Sequence, residues 1–522
     1  MKVVRSNLAK IYEYLNAPEF GKDIIILAVC LYIFVFFSYS LNFLSDDAFI
    51  TFRYVKNFLT GLGPVYNAGE YVEGFTSVLW FGLLGLLGRL GFDIVWIGRN
   101  VGLLFGSLQI ILLYFFLKKI KISSVSRFLA LLFISSSNII AVWSLGGLEI
   151  TMYSFFLLLN YVFLSLNSKF DKQKLFIFSI ISILVILTRL EGLFVPVLAT
   201  LWFVFKAKVK LKNLIFYYLL PFTFVIASSF LIRYSLYGQL LPNTFYAKVG
   251  ANLDIYLRGL RYTFDFFLNY SFILFFIVLI IWGYINKTRT VLLALLFIFT
   301  IVTETVLVGG DGLPMYRFLL PALPYFTVLL AFFLAKIEDV FPNSYIKYIF
   351  MFSFAAILIY RAFAQPLVGN QYQIYLDQKN YEIPRWTYVG KWLKENAKPN
   401  ETIALVPIGA VGYYSDRYIY DMLGLTNKYI SHKKVDLGKG AAGHEKHDGP
   451  YILSQKPTFL LLGNIQVLDF KLDFDDPRFA RPFNKVINER EDDIYTDELW
   501  QNYEKKIADV GGGYYLHYLK LK

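Results

Sequence analysis

Two adjacent carboxylates, Asp46 and Asp47, stand just past the end of the first apolar run of the chain. Like charges side by side push one pKa up, and a carboxyl raised toward neutrality suits a general base. The same pair also suits the first turn of a helix over 48–59, where Asp is favoured. Other carboxylates recur in turn-like settings. Glu149 follows Gly146 and Gly147, Glu191 sits in Arg189-Leu190-Glu191-Gly192, and Asp311 follows Gly309 and Gly310. Arg189 and Glu191 also suit a plain ion pair at an interface. Leu241-Pro242-Asn243-Thr244 opens a polar, aromatic, turn-rich stretch that ends at Lys248. Lys248, Arg258, Arg261 and Arg317 are the kind of cations a phosphate requires, and arginine can hold one bidentately.

The elements that must position these residues are apolar. Of 522 residues, 57% are hydrophobic, 19% aromatic and only 17% charged. A soluble globular domain carries about 25% charged residues. That shortfall argues against an ordinary cytosolic enzyme, a disordered chain and a nucleic-acid-binding domain. The apolar residues fall in blocks near the ~20 residues a spanning helix needs. Candidate spans lie at about 24–42, 97–117, 128–144, 150–166, 174–189, 192–205, 214–232, 268–285, 290–308, 318–335 and 347–362. The run 75–92 is interrupted by Gly82, Gly85, Gly88, Arg89 and Gly91. Cys30 is the lone cysteine, so no disulfide within the chain and no cysteine-based metal site is available. The first apolar run is longer than a signal-peptide core and lacks a small-residue cleavage site, so it reads as an uncleaved span.

Charge gives these spans a direction. Lys118, Lys119, Lys121 and Arg127 form one basic cluster, Lys169, Lys172 and Lys174 a second, and Lys206 to Lys212 a third. Lys287 and Arg289 follow. The positive-inside rule places all four in the cytoplasm, and much of the net charge of +13 lies in such connectors. With the N-terminus inside, 75–92 is then a re-entrant or surface helix; the alternative is that it crosses. The chain reads as a polytopic α-helical membrane protein of about 11 spans. Residues 1–22 form a cytoplasmic or interfacial segment, 23–363 the membrane domain with an outer loop at 43–74, and 364–522 a soluble extracytoplasmic α/β domain. The acids, glycines and prolines named above fall on the outer side.

Taken in order, these stretches resemble the GT-C glycosyltransferases, most of all the terminal β-1,2-arabinofuranosyltransferase type. The similarity runs through Asp46-Asp47-Ala48-Phe49-Ile50-Thr51-Phe52-Arg53-Tyr54, Gly63-Pro64-Val65-Tyr66-Asn67-Ala68-Gly69-Glu70 and Val72-Glu73-Gly74-Phe75-Thr76-Ser77. It continues in Gly146-Gly147-Leu148-Glu149, Thr188-Arg189-Leu190-Glu191-Gly192, Leu241-Pro242-Asn243-Thr244 and Gly309-Gly310-Asp311 with Arg317-Phe318-Leu319-Leu320-Pro321. In the soluble part it includes Tyr420-Asp421-Met422-Leu423-Gly424-Leu425-Thr426 and Gly443-His444-Glu445-Lys446. Leu190 departs from the pattern, standing where the family has proline.

The resemblance implies a multi-pass plasma-membrane enzyme. It would transfer a sugar, D-arabinofuranose or a hexose such as mannose, from a polyprenyl-phosphate donor to a glycan or glycoprotein acceptor. Asp46 is the implied catalytic carboxylate and Asp47 its partner. Lys248, Arg317 and Arg53 are nominated for the donor phosphate. Glu149, Glu191, Asn243, Asp311, Asp421, His444 and Glu445 are nominated for sugar or acceptor. A divalent metal near Asp46 and Asp47 is allowed but not demanded. His444 and His447 near Glu445 read as a solvated loop before a metal site. Two rival classes remain open: a lipid-linked glycan flippase, for which Glu304 is the strongest intramembrane charge, and a non-catalytic assembly protein.

Overall fold

The computed structural model describes residues 18–269, 273–341, 345–364, 370–463, 465–471, 492–494 and 496–522. Most of the predicted N-terminal surface segment, and residues 270–272 of the predicted span 268–285, lie outside the described residues. The rest of that span is the helix Ile273–Asn286.

Every other predicted apolar run is helical, but the helices are unequal. Gly21–Leu41, Ile94–Lys119, Leu211–Tyr237, Arg289–Leu307 and Arg317–Val340 are long and apolar enough to cross a bilayer. The predicted span 128–144 is two helices, Ser124–Ser135 and Asn138–Ser144, meeting at 56°. The break falls on Ser135, Ser136, Ser137 and Asn138. There the Ser136 hydroxyl donates to the Leu132 carbonyl at 2.7 Å, a local bond that competes with the helical ladder. The run 75–92 contributes a helix of 12 residues, Val78–Arg89, capped by Ser77. At 1.5 Å per residue it covers ~18 Å of a ~30 Å hydrocarbon core.

The helices pack closely where side chains are absent. Gly98, Gly102 and Gly106 line one face of Ile94–Lys119 at four-residue spacing. A Cβ on them would strike Phe52, the Ser144 carbonyl and Phe34 respectively. Small residues at this spacing let helices approach in lipid, where the hydrophobic effect does not drive them together. Thr151 then reaches across to donate to the Gly102 carbonyl at 2.9 Å.

From Asn370 the chain leaves the apolar helices and builds a six-stranded mixed sheet. Strand β1 (Thr402–Leu405) pairs in parallel with β2 (Tyr418–Asp421) and β3 (Phe459–Leu461). Strands β4 (Gln466–Leu468), β5 (Tyr503–Gly511) and β6 (Tyr514–Leu521) follow, with β6 antiparallel to β3, β4 and β5. The sheet is not a separate body. One buried cluster runs from the membrane helices through Phe49 and Phe52 to Val411, Ile403 and Leu405.

The junction is the helix Asp46–Leu59 lying against the helix Ile408–Ser415. Gly409 and Gly412 stand one turn apart on the second helix. A Cβ on Gly409 would overlap the backbone and carboxylate oxygens of Asp46, and one on Gly412 the Tyr66 hydroxyl. Helical Gly→Ala ordinarily stabilises by about 1 kcal/mol. Here the sign reverses: Gly409→Ala and Gly412→Ala should each destabilise by about 1–3 kcal/mol through overpacking, read as a lower melting temperature of the purified chain.

Candidate active site

Eight segments far apart in sequence meet around one cavity of about 350 Å³. Its walls carry four of the predicted carboxylates, Asp47, Glu149, Glu191 and Asp311, and three cations, Arg189, Lys248 and Arg317. Asp47 comes from the first turn of Asp46–Leu59, and Lys248 from the end of the short helix Asn243–Lys248. Glu149 precedes the helix Ile150–Leu166, makes no cap hydrogen bond there, and turns to Arg189 instead. Gly443 of the sheet domain closes over the Lys248 side chain, and Leu425 completes the wall.

The charges are arranged in pairs. Arg189 donates to Glu149 at 2.6 Å and to Glu191 at 2.9 Å. The predicted Arg189–Glu191 pair is present, but it is one arm of a bridge that places Arg189 on the cavity as well. Arg317 meets Asp311 in a bidentate fork at 2.8 and 3.0 Å. Two of its three nitrogens are therefore held by a carboxylate. Lys248 differs: its Nζ lies 3.8 Å from Asp47 Oδ2, too far for a hydrogen bond.

Asp46, the carboxylate nominated as catalytic, is not on this wall. Its Oδ2 accepts the Gly409 N–H at 2.9 Å and its Oδ1 the Ala410 N–H at 2.7 Å. These are unsatisfied donors at the N-terminus of Ile408–Ser415, which a carboxylate caps. Burial pushes the Asp46 carboxyl up to about 7, while the two N–H groups pull the other way. The sequence-based reading as a helix-start pair was thus right about the helix. It did not foresee that Asp46 caps a second helix of another domain.

Arg53 is likewise away from the cavity. It donates to the carbonyls of Tyr66 at 2.8 Å, Gly412 at 2.8 Å and Arg417 at 2.6 Å. Asn67 Nδ2 donates to the Ile419 carbonyl at 2.9 Å, and its Oδ1 accepts the Ile419 N–H at 3.0 Å. It thereby imitates a neighbouring strand at the open edge of β2. Asn243 is buried, donating to Gly424 and Leu425 carbonyls at 2.8 and 3.0 Å. Asp421 is buried under its own turn, accepting the N–H groups of Leu423, Gly424 and Thr426. Glu445 accepts from Gly438 and Gly440 at 2.6 and 2.8 Å and pairs with Arg258 at 2.8 Å. His444 Nδ1 lies 3.0 Å from the Ala442 carbonyl. The side chains of Asn243, Asp421, His444 and Glu445 therefore do not line the cavity.

Among the described residues, no three His, Cys, Asp or Glu side chains converge in a metal-binding group. Asp46 and Asp47 in particular do not share a cation, since one faces two N–H donors and the other an ammonium. The loop with positions 43–74 is further tied to the membrane helices by a buried Glu73–Arg233 pair at 2.5 Å.

Asp46→Ala leaves two buried N–H groups without an acceptor, which costs about 1–3 kcal/mol. Hydrogen exchange at Gly409 and Ala410 should quicken in this variant while Lys248 and its neighbours stay protected.

Comparison with known proteins agrees with this architecture. A family model described as a domain of unknown function, DUF8728, matches residues 370–511. The terminal β-(1→2)-arabinofuranosyltransferase of Corynebacterium glutamicum is 51% identical over 49 residues, 9% of this chain and 7% of that protein. The enzyme of the same name from Mycobacterium tuberculosis is 44% identical over 54 residues, 10% of this chain and 9% of that protein. The chain thus matches less than a tenth of the length of each. Among solved structures, ArnT from Cupriavidus metallidurans bound to undecaprenyl phosphate superposes with a TM-score of 0.52 at 11% identity, over 76% of this chain and 85% of that one. The apo oligosaccharyltransferase of Archaeoglobus fulgidus superposes with a TM-score of 0.51 at 13% identity, over 76% of this chain and 64% of that one. The chain is a multi-pass membrane protein with the GT-C fold and a sheet domain packed on the helix Asp46–Leu59.

Proposed function

We propose that the chain is a membrane glycosyltransferase, moving a sugar from a polyprenyl-phosphate carrier to a glycan or glycoprotein acceptor, with Asp47 as the catalytic carboxylate. The observation that carries this reading is Asp47 facing Lys248 at 3.8 Å across one wall of the cavity. A donor phosphate competes for the ammonium and leaves Asp47 unpaired beside the sugar. Asp47 then takes the proton of an acceptor hydroxyl, whose oxygen bonds to the anomeric carbon as the bond to the phosphate oxygen breaks. Charge grows on the departing phosphate, and Lys248 stabilises it more in the transition state than before it. Arg317, tied to Asp311, adds positive field without a free fork. Glu149 and Glu191, fixed by Arg189, present carboxylate oxygens to sugar hydroxyls. Arabinofuranose as the sugar is supported by the two short matches at 51% and 44% identity.

The same reading puts the cavity on the extracytoplasmic side of the plasma membrane. Gly98 packs against the outer-loop helix through Phe52. Lys118 and Lys119 end the same helix some thirty ångströms away at 1.5 Å per residue, about one bilayer core. At that far end Asp23 pairs with Lys118 and Arg127.

Asp47→Asn should lower release of lipid phosphate from a polyprenyl-phosphate sugar by about 10²–10⁴-fold, the range of a lost general base. Its melting temperature and its exchange at Gly409 should match wild type. Full activity in this variant would refute the assignment. Orientation is tested with cysteines at Ala68 and Lys210, both exposed. They should react with an impermeant thiol reagent from opposite faces of the membrane, Ala68→Cys from outside; reaction from one face would refute the topology.

A further inference from the structure

A second hollow, of about 260 Å³, opens on the sheet domain beside the first. Two of its tyrosines follow from strand geometry. β2 leaves Tyr418 and Tyr420 half-buried on one face and buries Ile419 and Asp421 on the other, as alternation requires. Their rings meet edge to face at 4.9 Å. Tyr429 and Tyr451 stack opposite at 4.2 Å with 22° between planes, and Tyr429 is 56% exposed. Tyr71, 49% exposed, completes the aromatic lining from the outer loop.

Polar groups edge these rings. Glu70 accepts from the Tyr418 hydroxyl and, at 2.9 Å, from Asn67. Asn427 and the exposed Lys428 lie on the same rim. Ring faces bordered by a carboxylate, an amide and an ammonium match a sugar, which has C–H faces and a hydroxyl perimeter. An apolar side chain of a protein acceptor would ask instead for a deep dry pocket.

The partition between the two hollows is thin. Leu425 lines the catalytic cavity and Thr426 the cleft; across from them Gly74 lines the cavity and Val72 the cleft. A Cβ on Gly74 would come within 2.7 Å of Thr426 Cγ2, so the two segments touch. We infer that the tyrosine cleft binds the body of a neutral glycan chain whose terminal residue crosses this partition to reach Asp47. That the chain is the acceptor rests on the transferase reading; that the cleft binds glycan does not.

The test is binding to the purified full chain in detergent, with disaccharides and octasaccharides of arabinofuranose, mannose and glucose, and an unglycosylated Ser/Thr-rich peptide as probes. At least one octasaccharide should bind about ten-fold more tightly than its disaccharide, the scale of one well-placed tyrosine. Tyr429→Ala or Tyr71→Ala should erase that gain, and Asp47→Asn should keep it. A gain absent for every sugar, a gain that survives both tyrosine variants, or occupation of the cleft by the peptide alone would each overturn the proposal. Tyr429-dependent binding with no release of lipid phosphate would leave the glycan site standing and overturn the transferase reading instead.

Discussion

The architecture turns on one buried carboxylate at the junction of the two domains. Asp46 receives the Gly409 and Ala410 N–H groups in the first turn of Ile408–Ser415, and so fixes where the sheet domain sits on the membrane unit. Its neighbour on the same helical turn, Asp47, is thereby aimed at the cavity. Successive residues on a helix point about 100° apart, so the docking of one side chain sets the direction of the other. Arg53 repeats the logic about two turns along, spending its guanidinium on the carbonyls of Tyr66, Gly412 and Arg417. Glycines at 409 and 412 make the approach possible.

Charge at the site is organised for position before stability. Arg189 with Glu149 and Glu191, Arg317 with Asp311, and Glu73 with Arg233 are all largely buried pairs. Desolvation offsets most of their mutual attraction, and such pairs are weak contributors to net stability. What they do supply is fixed direction: each arginine holds carboxylate oxygens at a defined place on the wall. Lys248 is the exception, with a long stem, partial exposure and a 3.8 Å approach to its nearest carboxylate oxygen. A cation that is not yet committed is the one a lipid phosphate can claim.

Much of this was legible in sequence, for physical reasons. Apolar blocks announce helices, so the helical runs were placed closely; the bend at Ser135–Asn138 was missed because polar residues there are buried against protein, not loop. Acids and cations in the turns between apolar runs named six cavity residues: Asp47, Glu149, Glu191, Lys248, Asp311 and Arg317. What no local pattern carries is which member of a motif turns inward. The partner that claims Asp46 lies 363 residues away. Asn243, Asp421, His444 and Glu445 look like ligand-binding groups in sequence, yet their polar atoms serve backbone groups of the sheet domain. The one signal that was available is the Gly409-Ala410-Val411-Gly412 spacing, a mark of close backbone approach in an otherwise ordinary segment.

The most direct measurement is an electron cryomicroscopy structure of the full chain in a lipid nanodisc with undecaprenyl phosphate. The expected result is phosphate density within hydrogen-bond reach of Lys248 Nζ, with Asp47 turned to open cavity and Asp46 still on Gly409 and Ala410. Phosphate held by Arg53, with Asp46 released from its helix, would contradict it.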